Sequence, residues 1–121
     1  MMCTAWSATD SRAESVTIEV AISDGIAAVN LGGELDLLSR DFLAHHIAQV
    51  VAREPQRIVF DMAGVRFADC EAVRVLAGTR QFLPHDAVPV IRHPRPIVRR
   101  ILELTGLDAY CVLEDALEEQ T

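Results

Sequence analysis

The chain has 121 residues, of which half are apolar and few are aromatic, and it carries a formal net charge of −7. This length suits one domain with its own core, and the negative charge disfavours nucleic acid or an anionic membrane as the main partner. No stretch approaches the run of about 20 apolar residues that spans a bilayer, and the N-terminus lacks the basic start and apolar core of a secretory signal, so we expect a cytoplasmic protein.

The N-terminal part of the chain predicts a tail followed by a β-hairpin. Residues 1–13 are small and polar, so we expect a disordered tail there and a single domain over residues 14–121. Alternating, β-branched segments over residues 15–22 and 26–31 predict two strands. Asp24 and Gly25, which lie between them, predict a tight hairpin turn.

The rest of the chain alternates between helical and strand patterns. In chain order we expect a helix from a cap at Ser39 to before residue 55, a strand over 57–62 and a helix over 70–82. We then expect a strand over 87–92 and a helix from about 94 that Gly106 ends. The chain closes with a predicted strand over 109–113 and a short acidic helix over 114–120. The order β-β-α-β-α-β-α-β-α favours the α/β class, with a small mixed, mostly parallel sheet, about four helices and one entry hairpin.

Three segments of the chain resemble STAS domains. VNLGGELDLLSRDFL (residues 29–43) is similar to the Gly-Glu-Leu-Asp segment that leads into their first helix. RIVFDMAGVRFADCEAVRVL (residues 57–76) is similar to their central strand, loop and second helix, and PIVRRILELTGLDAYCVLEDALEE (residues 96–119) to their closing section. The chain is therefore identified as a member of this family, similar to its small stand-alone anti-sigma factor antagonists, and the resemblance implies the STAS fold.

The loop before the second helix departs from the family pattern, which usually reads Asp-Ser-Ser-Gly. In that family the first serine is phosphorylated by an anti-sigma factor that is also a kinase, and the unphosphorylated antagonist binds the anti-sigma factor and frees the sigma factor. The aligned residues here are Asp69, Cys70, Glu71 and Ala72, so the resemblance puts Cys70 in the phosphoacceptor position. Because a kinase transfers phosphate to an oxygen, we expect an antagonist that is independent of phosphorylation or controlled by oxidation of Cys70.

The residues of this loop each allow two interpretations. Asp69 caps the helix or contacts a partner, and Glu71 stabilises the first turn or imitates part of a phosphate charge. Ala72 stabilises the helix relative to glycine or obstructs a partner that needs close backbone approach. Cys70 is a small spacer or a reversible redox switch, because the helix start favours its thiolate while neighbouring carboxylates disfavour it.

A disulfide between Cys70 and Cys111 is not expected. The last strand should lie two positions from the central one, roughly 9–10 Å away, whereas bridged cysteines have Cα atoms within about 7 Å.

The resemblance and the exposed helix face together predict a contact surface for an anti-sigma factor of the ATPase and kinase type. Its expected residues, besides Cys70, are Glu34, Asp36, Asp69, Glu71, Ala72 and Arg74. The alternative is a diverged STAS module that acts as a ligand sensor or scaffold in another regulatory complex. We expect no enzyme, metal or cofactor, because no histidine is spaced to serve Cys70 and no paired metal ligands occur. The sequence leaves the oligomeric state open.

Overall fold

The computed structural model describes residues 3–10 and 16–114, which contain one six-stranded sheet and three α-helices. The strands are β1 (Thr4–Thr9), β2 (Thr17–Ser23), β3 (Ile26–Leu35), β4 (Arg57–Ala68), β5 (Val90–Arg92) and β6 (Val112–Glu114). The helices are α1 (Arg40–Val51), α2 (Cys70–Gly78) and α3 (Pro96–Thr105). Short 3-10 turns cover Leu37–Ser39, Thr79–Phe82 and Leu107–Tyr110.

The strands lie side by side in chain order, as a mixed sheet. β1, β2 and β3 pair antiparallel, and β3, β4, β5 and β6 pair parallel. Asp24 and Gly25 both adopt positive φ angles, of 55° and 78°, which is the geometry of a two-residue hairpin between β2 and β3. The predicted class, hairpin and parallel part of the sheet are confirmed.

The helices cover one face of the sheet. Alternate strand residues such as Ile18, Val29 and Phe60 join helix residues such as Leu43 and Leu102 in one buried cluster. The residues between them along β2 and β3 are exposed. One face of the sheet is therefore the core, and the other carries the outward side chains of the strands.

Strand β4 is longer than the sequence predicts, because it continues from residue 62 to Ala68. Its pairing with β3 shifts between Asn30 and Gly32 and again between Gly33 and Glu34, so β4 accommodates extra residues as bulges. Gly33 has a φ of 96°, a conformation that favours glycine. These irregularities break the alternation from which strands are predicted, and they bring the ends of β3 and β4 to the same edge.

Several predicted boundaries are wrong. Residues Thr4–Thr9 form strand β1 rather than part of a disordered tail, with Trp6 opposite Val20 and partly buried against the core. The second helix ends at Gly78 and continues as a 3-10 turn to Phe82. The last strand begins at Val112, because Leu107–Tyr110 form a turn. The fourth helix, expected over 114–120, lies outside the described residues except for Glu114, which belongs to β6.

Candidate functional site

The carboxyl ends of β3 and β4 meet at one edge of the sheet. Leu35 pairs with Ala68, and the backbone N–H of Asp69 donates to the carbonyl of Leu35 at 2.9 Å. The Glu34–Asp36 segment therefore lies beside the start of α2. Two segments that are more than 30 residues apart in the chain form one surface here, as the resemblance implied.

Asp36 organises the turn that follows β3. Its Oδ1 accepts from the N–H of Leu38 at 3.0 Å, and its own N–H donates to Ser39 Oγ at 3.0 Å. This reciprocal pair is a capping box at the start of the 3-10 turn Leu37–Ser39, which leads into α1. Ser39 occupies the N-cap position of α1, as predicted, but its buried hydroxyl makes no capping bond to that helix.

Two leucines of this turn are exposed beside the site, and sequence reasoning missed them. Leu37 and Leu38 are 68% and 67% exposed. Phe67, which pairs with Glu34 across the two strands, is 42% exposed. The available signal was that neither leucine fits the inward spacing of α1. Exposed apolar side chains that lie close together on a protein surface are typical of contact sites for other proteins.

Asp69 is the N-cap of α2. Its Oδ1 accepts from the N–H of Ala72 at 2.9 Å, which satisfies one of the free donors of the first turn. Glu71 follows in that turn with its side chain exposed, where a carboxylate stabilises the helix through the macrodipole. The Asp69 side chain therefore lies in the capping position, one of the two roles that the sequence allowed for it.

Cys70 and Arg74 are exposed on α2, whereas Ala72 is not. Ala72 is only 1% exposed and packs in the core. The prediction that Ala72 belongs to a contact surface is therefore wrong for its side chain, because the methyl faces inward from the first turn. A methyl in this place fills core volume and favours the helix over glycine.

Two shallow grooves flank α2, and Arg74 and Gly78 line both. The larger, of about 420 Å³, lies between α1 and α2; its lining includes Ile47, Val51, Glu71, Val75 and Phe82. The smaller, of about 250 Å³, lies between α2 and the turn after α3, and Leu107 and Tyr110 line it. The guanidinium of Arg80 lies 4.6 Å from the Tyr110 ring centre. The exposed side of α2 thus combines charge with apolar recesses.

The three cysteines are free thiols in different surroundings. Cys3 and Cys70 are exposed, while Cys111 is partly buried and its Sγ lies 3.6 Å from the carbonyl oxygen of Leu107. Burial, together with the negative charge of Asp108, raises the pKa of the Cys111 thiol to about 11. Strand β6, which follows Cys111, lies two positions from β4 as predicted.

Within residues 3–10 and 16–114, no group of three or more His, Cys, Asp or Glu side chains could hold a metal ion. None of the helices in those ranges is long and apolar enough to cross a membrane.

Comparison with known proteins adds to this geometry. The STAS domain family matches residues 17–120, nearly the whole chain. The chain belongs to the STAS domain family. This STAS protein is also 32% identical over 111 residues to the anti-sigma-F factor antagonist RsfB of Mycobacterium tuberculosis, covering 88% of this chain and 91% of that protein.

Two solved structures of anti-sigma factor antagonists are similar to this chain in fold. The crystal structure of an anti-sigma factor antagonist from Mycobacterium paratuberculosis matches 93% of this STAS protein and 94% of that chain, with a TM-score of 0.73 and 31% identity. The anti-sigma factor antagonist SpoIIAA in its unphosphorylated form matches 84% of this chain and 91% of its own, with a TM-score of 0.68 and 18% identity. At that identity the second likeness shows the shared fold.

Proposed function

We propose that this STAS protein is an anti-sigma factor antagonist, which binds an anti-sigma factor of the kinase type and so frees a sigma factor. The observation that carries the proposal is the junction of β3 and β4, where Asp69 is hydrogen-bonded to Leu35 and two separate segments form one exposed edge. The similarity to RsfB, named as an anti-sigma-F factor antagonist, supports the same role.

The proposed contact surface, which we call the loop edge, combines apolar and charged side chains. Its members are exposed or partly exposed: Glu34, Asp36, Leu37, Leu38, Phe67, Asp69, Cys70, Glu71 and Arg74. Apolar anchors surrounded by polar side chains are the usual composition of a specific protein interface. Leu37 and Leu38 supply the anchors, and the carboxylates and Arg74 supply the surrounding charge.

The proposed control of this surface differs from a phosphorylation switch. Cys70 is the exposed first residue of α2, and it has a thiol where the antagonists that this chain resembles have a hydroxyl. We therefore propose that the protein binds without phosphate control or loses binding when Cys70 is oxidised. A sulfenic acid or mixed disulfide at this position would add bulk at the loop edge, as a phosphate does elsewhere in the family.

A ligand-sensing role is the second candidate. The groove between α1 and α2 is lined mainly by apolar side chains, and its volume of about 420 Å³ falls in the range of small-molecule sites. Co-purification from the native cell distinguishes the two roles. An anti-sigma factor recovered with the protein supports the first role, and a bound small molecule supports the second.

A binding titration tests the proposed function. The protein is titrated with each anti-sigma factor of the same genome, and Arg74→Glu is compared with Arg100→Glu, an equal charge reversal on the exposed side of α3. We expect one anti-sigma factor to bind. Arg74→Glu should weaken that binding at least about tenfold, on the order of 1–2 kcal/mol, because a reversed charge in the contact surface meets like charge on the partner. Arg100→Glu should leave the binding unchanged. No binding by any anti-sigma factor contradicts the proposal.

The proposed switch is tested with the same pair in reducing and in oxidising buffer. Binding only when reduced, and loss of that dependence in Cys70→Ala, support oxidation control. Equal binding in both buffers supports an antagonist without a switch. In either case the binding kinase with ATP should phosphorylate Cys70→Ser and not the native chain; an unmodified Cys70→Ser contradicts the assignment of position 70 as the phosphoacceptor equivalent.

A further inference from the structure

The outward face of the sheet carries one unbroken apolar row that crosses all six strands. Strand pairing places the residues of the row directly side by side, in the order Ala5, Ala21, Ala28, Val59, Val90 and Val112. The three alanines and Val112 are exposed, Val59 is partly buried, and Val90 is buried without belonging to the main core cluster. The row has small side chains on β1 to β3 and large ones on β4 to β6.

A polar row runs beside the apolar one. On every strand it lies two residues away from the apolar row, toward the end of the sheet at which β3 and β4 terminate. In the same strand order its members are Ser7, Glu19, Asn30, Asp61, Arg92 and Glu114. Arg92 Nε lies 2.9 Å from Glu114 Oε1, and His93 Nδ1 lies 3.4 Å from Asp61 Oδ1. The positive charge of this row is thus Arg92 on β5, and Glu19 is on β2.

The chain beyond β6 is acidic and offers few apolar side chains. Residues 115–121 read DALEEQT, with a single alanine and a single leucine among three acidic residues. Their charge has the same sign as that of Glu19, Asp61 and Glu114 in the polar row. A partner on this face would have to match both the size gradient and the charge order.

We propose that a second copy of this chain occupies the outward face, in a face-to-face dimer with its two-fold axis parallel to the strands between β3 and β4. Such an axis places β1 of one copy over β6 of the other and β3 over β4. Isologous contacts of this kind repeat each pairing twice. Two sheets packed face to face lie about 10 Å apart and are offset by the twist of each sheet, so the register holds best near the axis.

The pairing matches sizes in the apolar row. Ala28 faces Val59 of the second copy and Ala5 faces its Val112, while Ala21 lies over its Val90, which is only 6% exposed within its own chain. Exposed alanines thereby receive larger valines next to the axis and at the outer strands, as close packing between layers requires. An axis across the strands would instead put alanine on alanine and valine on valine, which leaves one half loose and crowds the other.

The pairing also matches charges in the polar row. Glu19 faces Arg92 of the second copy, so that Arg92 lies between that carboxylate and its own Glu114. The other opposed pairs are Ser7 with Glu114 and Asn30 with Asp61. No two like charges face each other directly, and complementary charge of this kind selects one arrangement over others.

Sedimentation velocity of the full chain, from micromolar to near-millimolar concentration, tests the dimer. We expect the mass to rise from 13.3 kDa toward twice that value. Ala28→Glu places two carboxylates near the axis and should hold the mass at the monomer value. Ala44→Glu, an exposed alanine on α1, is the matched control and should dimerise like the native chain. Circular dichroism confirms that both variants fold.

The orientation is tested with Glu19→Arg, which should weaken the dimer by turning the attraction to Arg92 into repulsion. Glu103→Arg makes the same charge change on exposed α3 and should have no effect. A native chain that stays monomeric at all concentrations overturns the proposal. So does a dimer that survives Ala28→Glu. Binding to an anti-sigma factor uses the loop edge and should persist in Ala28→Glu, so the two proposals fail separately.

Discussion

The side chain of Asp69 caps α2 with one hydrogen bond, from the N–H of Ala72 at 2.9 Å, and Asp69 also lies on the loop edge. We expect Asp69→Ala to lower the free energy of unfolding by about 1 kcal/mol, the usual cost of losing an N-cap. Asp69→Asn should retain most of that stability, because asparagine caps helices about as well. Urea unfolding of the two variants and the native chain measures the difference.

The pair of variants also separates capping from contact. If Asp69→Asn is stable but binds an anti-sigma factor weakly, the carboxylate charge itself contacts the partner. If Asp69→Ala unfolds at the same urea concentration as the native chain, the capping role is wrong.

The reactivity of the three thiols should follow their surroundings. At pH 8 we expect iodoacetamide to modify Cys3 and Cys70 faster than Cys111, because Cys111 is partly buried and its pKa is raised to about 11, so almost none of it is thiolate. Its rate should rise as the pH approaches 11. Mass spectrometry of peptides from timed samples follows each site, and urea-unfolded protein is the control in which the three rates converge. Equal rates for Cys70 and Cys111 in the folded protein would contradict this.

Strand β1 is attached to α1 by a contact that depends on protonation. The indole Nε1–H of Trp6 donates to Nδ1 of His46 at 3.1 Å, and Phe42 packs against the same imidazole. Burial, followed by the charge of nearby His45, lowers the pKa of His46. The folded chain thus favours neutral His46. Its contribution to stability is present above the ordinary pKa of 6.5 and is lost as the pH falls through the lowered value.

We expect acidification below pH 6.5 to change the fluorescence of Trp6, which is the single tryptophan of the chain, before the protein unfolds. Protonated His46 can no longer accept the indole hydrogen, so the ring moves toward solvent. His46→Leu should remove this transition, while His85→Gln, at an exposed loop histidine, should preserve it. A transition that is unchanged in His46→Leu would assign it to another group.

The elements that the sequence predicts well are those with strong local signals. The spacing of Leu43, Ile47 and Val50 predicts α1, and Gly106 ends α3 in the left-handed conformation expected of it. Strand β1 was missed because TAWSAT is small and polar on its outward side, and its inward side is completed only by Val20 and Ile18 of β2. The length of β4 was missed because bulges that depend on the β3 partner interrupt its alternation.

The candidate site was predictable where a motif marks it. GELD and the loop at Asp69 indicated that the two segments lie together, and the structure has them hydrogen-bonded. The exposure of Leu37 and Leu38 depends on how the capping box turns the chain. The burial of Ala72 depends on which side of α2 meets the sheet. Neither property is local, so neither could be read from spacing.

At the scale of the whole molecule, we propose two surfaces that bind different partners. The loop edge and the start of α2 lie at the carboxyl ends of β3 and β4, and the outward face of the sheet lies opposite the helices. A protein bound at the first surface leaves the second accessible, so we expect a dimer of this chain to carry two anti-sigma factors. Light scattering of the complex measures this stoichiometry, and a complex with one antagonist chain would contradict it.

The release of a sigma factor is the most direct test of the proposed function. A purified complex of sigma and anti-sigma factor from the same genome is mixed with increasing amounts of this protein under reducing conditions, and free sigma factor is measured by native mass spectrometry. We expect the native chain to release sigma factor and form a complex with the anti-sigma factor, Arg100→Glu to do the same, and Arg74→Glu to require a much higher concentration. If no sigma factor is released from any such complex, the protein is not an anti-sigma factor antagonist.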